Sequence, residues 1–344
     1  MMLLTNRTAA TRRYIASMIL RCGPSAAALG YPLALVLLHQ SGRQFVQATD
    51  ATGTLLAGFA VCITVALVYS VPVLSFVIIL QSAGQIRMRR LAHLAFSAPP
   101  LFTVIGVVFF FLGIPNGDYV VWAVAWLGVL AYAASASPEE TVPAPPATWI
   151  RTAHGVTGAT ILAIFLVWHL ANHALAMFSP DANKATMLLL RTWYRSRPVQ
   201  PVLLALFIWQ LATGARLLWA KIALAGDVYS SIQTATAGYL LFYIPSHLIA
   251  VFILGRWFLG VDTTFEWASG APSGLLPDAW NVRLIPHYSL AVLFVFGHLA
   301  MGLRAVLVGH GVRVALADRA SWTICSIGLA LSLVIAVAQL RVGA

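Results

Sequence analysis

Nine apolar runs, each close to the length that crosses a bilayer, constrain the fold of this chain more than any other feature. A membrane-spanning helix takes about 20 predominantly apolar residues. The runs fall near residues 24–42, 54–81, 91–114, 118–136, 152–178, 199–222, 230–258, 285–308 and 321–340. Pro32, His39 and Gln40 interrupt the first, so the count is eight or nine. Only 9% of the residues are charged, against about 25% in soluble domains. So little charge cannot coat a water-facing surface. The expected fold is all-α: a polytopic transmembrane helical bundle of about nine helices, with the lipid bilayer as its first partner.

The net charge of +11 comes mostly from 19 arginines. In a soluble chain that would point to nucleic acid. Here the cations gather at span ends, where they set orientation, and no nucleic-acid partner is expected. Arg7, Arg12, Arg13 and Arg21 precede the first run, and Arg87, Arg89 and Arg90 separate the second from the third. With Arg216, Lys221, Arg304, Arg313 and Arg319 they share one side if the N-terminus is cytoplasmic, in a bacterial inner (cell) membrane. Residues 179–198 disagree, because Lys184, Arg191, Arg195 and Arg197 fall on the other side. The N-terminus lacks the apolar stretch and small-residue cleavage site of a signal peptide. Cys22, Cys62 and Cys325 are far apart, which excludes a cysteine-ligated iron–sulfur cluster within the chain. No GxGxxG or P-loop pattern points to a nucleotide.

Residues 138–147, PEETVPAPPA, replace apolar sequence with proline, alanine and acid, and read as a linker. They divide an N-terminal region of four spans (1–137) from a C-terminal region of five (148–344). Seven of the nine histidines lie in the second region. RRLAH at 89–93 faintly echoes IRTAH at 150–154, a decayed repeat at most. The Gly-, Pro- and aromatic-rich loop 261–284 carries Trp267 and Trp280, which suit an interfacial cap.

An ionisable side chain inside a span is costly and by default marks function. His169, His247 and His298 lie well inside runs. At about 1.5 Å per residue, His169 is roughly 27 Å from Arg151 and His247 roughly 26 Å from Ser230. Both spans run in one direction, so the two histidines reach the same depth. Haem iron accepts imidazole, and two facing helices can supply both axial ligands. His298 sits in an oppositely directed span, about 18 Å from Pro286, and Gln210 lies at a similar level. QLATGAR and HLAMGLR share a pattern around these two residues. Gly214 and Gly302, four residues on, leave room on the same helix face for a flat porphyrin. Arg216 and Arg304 then serve either as partners for haem propionates or as snorkelling anchors. A lone histidine in a span is more often an interhelical hydrogen-bond partner, worth about 1 kcal/mol. Two at matched depth, with a third beside a glycine cleft, favour haem. His173 reads as interfacial, and His93, His154, His287 and His310 as inexpensive residues at span ends.

WIRTAHGVTGATILAIFLVWHLANH (149–173) resembles the first helix of the membrane cytochrome b subunit of succinate dehydrogenase/fumarate reductase, in its single-chain, five-helix, two-haem form. Arg151, His154, Gly158 and His169 match that helix, and the segments around His247 and His298 match later ones. The resemblance covers residues 148–342. It implies an outer haem b on His169 and His247, and an inner haem site at Gln210 and His298. Glutamine is a poor iron ligand beside imidazole, so the inner site departs from the family. It further implies electron exchange with a quinone, with Arg151 and His154 as candidate quinone-site residues, and soluble flavin and iron–sulfur subunits as partners. Two alternatives remain open on the residues alone. One is a haem or quinone redox sensor, or an anchor for a partner protein, without turnover. The other is a haem-free transporter, against which stands the lack of acidic residues mid-span.

Overall fold

A computed structural model describes the backbone of residues 2–82, 85–135 and 141–342, and the side chains from residue 18 onward. Every regular element among the described residues is helical. The principal helices are α1 (Met2–Gln47), α2 (Ala51–Gln81), α3 (Ile86–Phe96), α4 (Ala98–Phe111) and α5 (Gly117–Ala134). They continue as α6 (Thr148–Leu175), α7 (Pro180–Tyr194), α8 (Val199–Lys221), α9 (Val228–Phe258), α10 (Asn281–Gly309) and α11 (Val314–Leu340). Eight are long and apolar enough to cross a membrane, or nine if α3 and α4 count as one bent span. The polytopic all-α bundle expected from the apolar runs is what the chain forms. Large apolar side chains such as Leu55, Leu56 and Phe59 stay exposed along α2, as a lipid-facing surface requires.

Two runs behave differently from their sequence reading. The run at 91–114 is not one helix: it breaks at Ser97, where α3 and α4 meet at 60°. Pro99 and Pro100 cannot donate back into the preceding turn and so end it. The first run, weakest in sequence, is continuous through Pro24 and Pro32. Pro32 leaves the Ala28 carbonyl without its helical donor, and Trp122 of α5 donates its indole N–H to that oxygen at 2.8 Å. In hydrocarbon no water could do this. Around the repair, Tyr31, Phe102, Trp122 and Trp126 form an aromatic core.

The two regions share packing. Ile79, Ala92 and Phe96 join Ala235, Tyr239, Leu290 and Ala291 in one apolar cluster, and Phe96 stacks on Phe294 at 4.9 Å. Asp118 of α5 and Arg283 of α10 form an ion pair at 2.8 Å with side chains 8% and 3% exposed. Gly106 of α4 has no side chain to obstruct that guanidinium. Of the linker, residues 141–147 carry no helix, while Pro138, Glu139 and Glu140 lie outside the described residues. The side chains of Arg7, Arg12 and Arg13 also lie outside them.

The segment 179–198, read as a loop of misplaced charge, is mostly the helix α7. Ser179 caps it by accepting from the Ala182 N–H at 3.1 Å, with Pro180 in the first turn, a strong helix start. Asn183, Met187 and Arg191, four residues apart, are its buried face.

Candidate cofactor cavity

α6, α8, α9 and α10 surround a cavity of about 290 Å³, roofed by α7 and by residues 263–268 of the long loop. That volume sits at the lower end for ligand pockets. Each helix gives it one face at helical spacing, as with Leu203, Phe207 and Gln210 on α8. The walls are mainly apolar, and polar groups concentrate at three levels.

At the middle level, His169 and His247 come together with ring centres 6.2 Å apart and planes at 67°. Both line the cavity. Phe165 stacks on His169 at 4.9 Å, and Tyr243 stacks on His247 at 5.6 Å, fixing each ring in its orientation. The backbone is unusual beside both residues: a π-helical stretch, Leu162–Leu166, precedes His169, and another, Ile249–Phe258, follows His247. Such stretches are rare and are frequently found at functional sites. His173 lies 4.6 Å from His169 and 5.6 Å from Phe265 of the roof. It is thus a cavity residue and not merely interfacial. The Nδ1 atoms of His173 and His247 are buried without a protein partner among the described residues.

At the floor, Gln210 and His298 both line the cavity, as expected from their shared depth. Gln210, however, is engaged by a residue read as a span-end histidine. Its Nε2 lies 3.1 Å from Nε2 of His154, and Nδ1 of His154 lies 3.0 Å from the Thr213 hydroxyl. That hydroxyl already donates to the Trp209 carbonyl at 2.8 Å, so it accepts from His154 Nδ1–H. Nε2 is then the acceptor for the Gln210 amide, and the Gln210 Oε1 is left buried without a partner among the described residues. The His154 and His298 ring centres stand 6.2 Å apart, but both nitrogens of His154 are occupied. His298 donates Nδ1–H to the Gln233 carbonyl at 3.2 Å, and Lys221 donates to the Gln233 side chain at 2.8 Å.

The glycines at the floor accommodate side chains. A Cβ on Gly214 would meet His154 Cε1 at 3.1 Å, and one on Gly158 would meet Gln210 Nε2 at 3.1 Å. One on Gly302 would meet Gln233 Nε2 at 3.5 Å. Arg304 donates to Asp318 at 2.6 Å and lies over Tyr229, so it is committed to α11 and α9. Arg151 and Arg216 are both exposed. His287, read as a span-end residue, is only 2% exposed and packs 4.6 Å from the Tyr243 ring.

At the roof, sequence reasoning missed the main feature. Arg191 donates to Asp262 at 2.8 Å and to the Thr263 carbonyl at 2.9 Å. Arg195 reaches Asp262 at 3.5 Å and Thr263 Oγ1 at 3.1 Å. Arg256 donates to Gln200 Oε1 at 3.3 Å. All three arginines line the cavity. Asp262 feels partial burial, which raises its pKa, but the two guanidiniums outweigh this and hold the carboxyl below its ordinary range. The only sequence signals were the four-residue spacing from Asn183 to Arg195 and the capping Ser-Pro-Asp at 179–181.

Haem b takes four iron ligands from its own porphyrin and needs only axial ligands from protein. It is therefore compatible with the finding that no cluster of three or more metal-ligating side chains occurs among the described residues. A metal–imidazole bond of about 2 Å, plus the ring radius on each side, puts two trans imidazole centres about 6 Å apart. His169 and His247 meet that separation, line a cavity and sit on separate helices. The floor does not fit in the same way, since His154 is covered by Gln210. Comparison with protein-family models, curated proteins and solved structures found no match to this chain.

Proposed function

We propose that this chain is a membrane electron-transfer subunit holding one b-type haem on His169 and His247 and exchanging electrons with a quinone. It would lie in a bacterial cell membrane with its N-terminus cytoplasmic, beside soluble flavin and iron–sulfur partner subunits. The single observation that carries the reading is the pair of imidazoles, 6.2 Å apart, lining one apolar cavity inside the bundle. When bound, haem would supply one-electron chemistry. The chain's residues would do the rest: His169 and His247 would hold the group, and Phe165 and Tyr243 would keep their rings in place. α7 and residues 263–268 cover one end of the cavity. Arg191 and Arg195, two of the four cations that count against the N-in orientation, face Asp262 and the cavity, which leaves Lys184 and Arg197 against it. The quinone head group would bind at the end of the bundle that holds Arg151 and His154, with the Lys221 ammonium, held by Gln233, as a nearby group able to exchange a proton with it. His154, with both ring nitrogens engaged by Gln210 and Thr213, would shape that end and not relay the proton.

The test is a reduced-minus-oxidised visible spectrum of the purified chain from haem-replete cells, with haem stoichiometry. One b-type haem per chain, lost in His169→Ala and in His247→Ala but kept in His298→Ala, is the expected result. A chain without haem refutes the proposal, and two haems would mean that the floor also binds iron.

A further inference from the structure

The roof of the cavity holds more positive charge than its protein partners neutralise. Arg191, Arg195 and Arg256 converge there, and among the described residues Asp262 is the one carboxylate in contact with them. Arg191 is 9% exposed, and the contacts of Arg256 among the described residues are the neutral Gln200 amide and the Phe252 ring. Arg195 and Arg256 are only half-buried, but both stand at the edge of an apolar cavity, where one shared carboxylate leaves net positive charge. The chain nevertheless brings three of them to one place, from two helices. Arginine is the side chain best shaped to take a carboxylate through two parallel bonds. The path from the imidazoles to these groups is direct. In the wide helical stretch after His247, residues four to five apart share a face, and His247, Val251, Phe252 and Arg256 all line the cavity.

We infer that Arg195 and Arg256, backed by Arg191, form a binding site for paired carboxylates attached to an apolar body that lies in the cavity. Resting on the haem reading above, the structure assigns these carboxylates to the two porphyrin propionates of the haem held by His169 and His247. A single carboxylate on an apolar chain, the head of a long-chain fatty acid, is the competing occupant, and the experiment separates the two.

The full-length chain in detergent, stripped of haem, is titrated with haem b and with its dimethyl ester, in which both carboxylates are masked. Binding is read from the Soret band. The native chain should bind the ester at least tenfold more weakly than the free acid. In the Arg195→Gln/Arg256→Gln double variant the two should bind within about threefold of each other, with the bis-imidazole spectrum kept. Arg191 is left intact because its pairing with Asp262 holds the roof. Equal binding of acid and ester by the native chain overturns the inference and leaves the haem reading standing. Failure to bind either porphyrin removes both. Palmitate that binds the haem-loaded native chain, and not the double variant, assigns the site to a lipid carboxylate and overturns the inference.

Discussion

Gln210 and His154 meet nitrogen to nitrogen at 3.1 Å, with the amide as donor and the imidazole as acceptor. Gln210 therefore does not take the place of an iron ligand; it occupies the one lone pair through which His154 could have been one. Gln210→Leu removes the donor and leaves a buried imidazole nitrogen bare, a loss of about 1–3 kcal/mol. The expected result is a lower thermal midpoint in detergent with an unchanged haem spectrum. Loss of haem without loss of stability would instead tie Gln210 to the cofactor.

Trp122→Phe tests the repair of Pro32. The variant keeps an aromatic ring among Tyr31, Phe102 and Trp126 but cannot donate to the Ala28 carbonyl. A bare carbonyl within the bundle costs about 1–3 kcal/mol. Denaturant unfolding in mixed micelles should show the loss. The double variant Pro32→Ala/Trp122→Phe should recover much of it, because replacing the proline returns a backbone N–H to the helical ladder.

Asp118 and Arg283 tie α5 to the start of α10. Asp118→Ala strands a buried guanidinium, and breaking such a pair from one side costs about 3–5 kcal/mol. Asp118→Ala/Arg283→Met replaces both charges with apolar groups and should be more stable than the single variant. A single variant with native stability would mean that water reaches the pair.

Asp262 makes the roof acid-sensitive. Its carboxyl is held below its ordinary pKa, with burial opposed and outweighed by Arg191 and Arg195. A depressed folded-state pKa contributes stability that is complete above the unfolded value, about 4, and is lost as pH falls through the folded value. Limited proteolysis within 261–284 should therefore accelerate below about pH 4. In Asp262→Asn the cutting should be fast at neutral pH and lose this dependence on acid.

Much of the architecture was legible because a bilayer imposes length and apolarity on every span, and both are written in sequence. The break at Ser97 was visible only as Pro99-Pro100, and a long apolar run masked it. Pro32 looked like a fault because its compensating donor, Trp122, lies 94 residues from Ala28. At the site, depth counting placed His169 beside His247 and Gln210 level with His298, since rise along a helix is additive. It could not give rotation. His154 turns toward Gln210, and His287 turns into the bundle against Tyr243; both are matters of azimuth. The roof arginines escaped notice because their role depends on a loop that folds back to bring Asp262, 71 residues on, against Arg191.

The five-residue π stretch in α6 sets that azimuth for His169. A π turn accommodates one residue more than the α turn it replaces, and one residue on an α-helix is about 100° of rotation. The helix thus behaves as a shaft with a phase offset cut into it between His154 and His169. A single-residue deletion within 162–166 would still leave a span long enough for the bilayer. It would also swing His169 and His173 together away from His247, so in this helix residue number governs angular timing more strictly than it governs length.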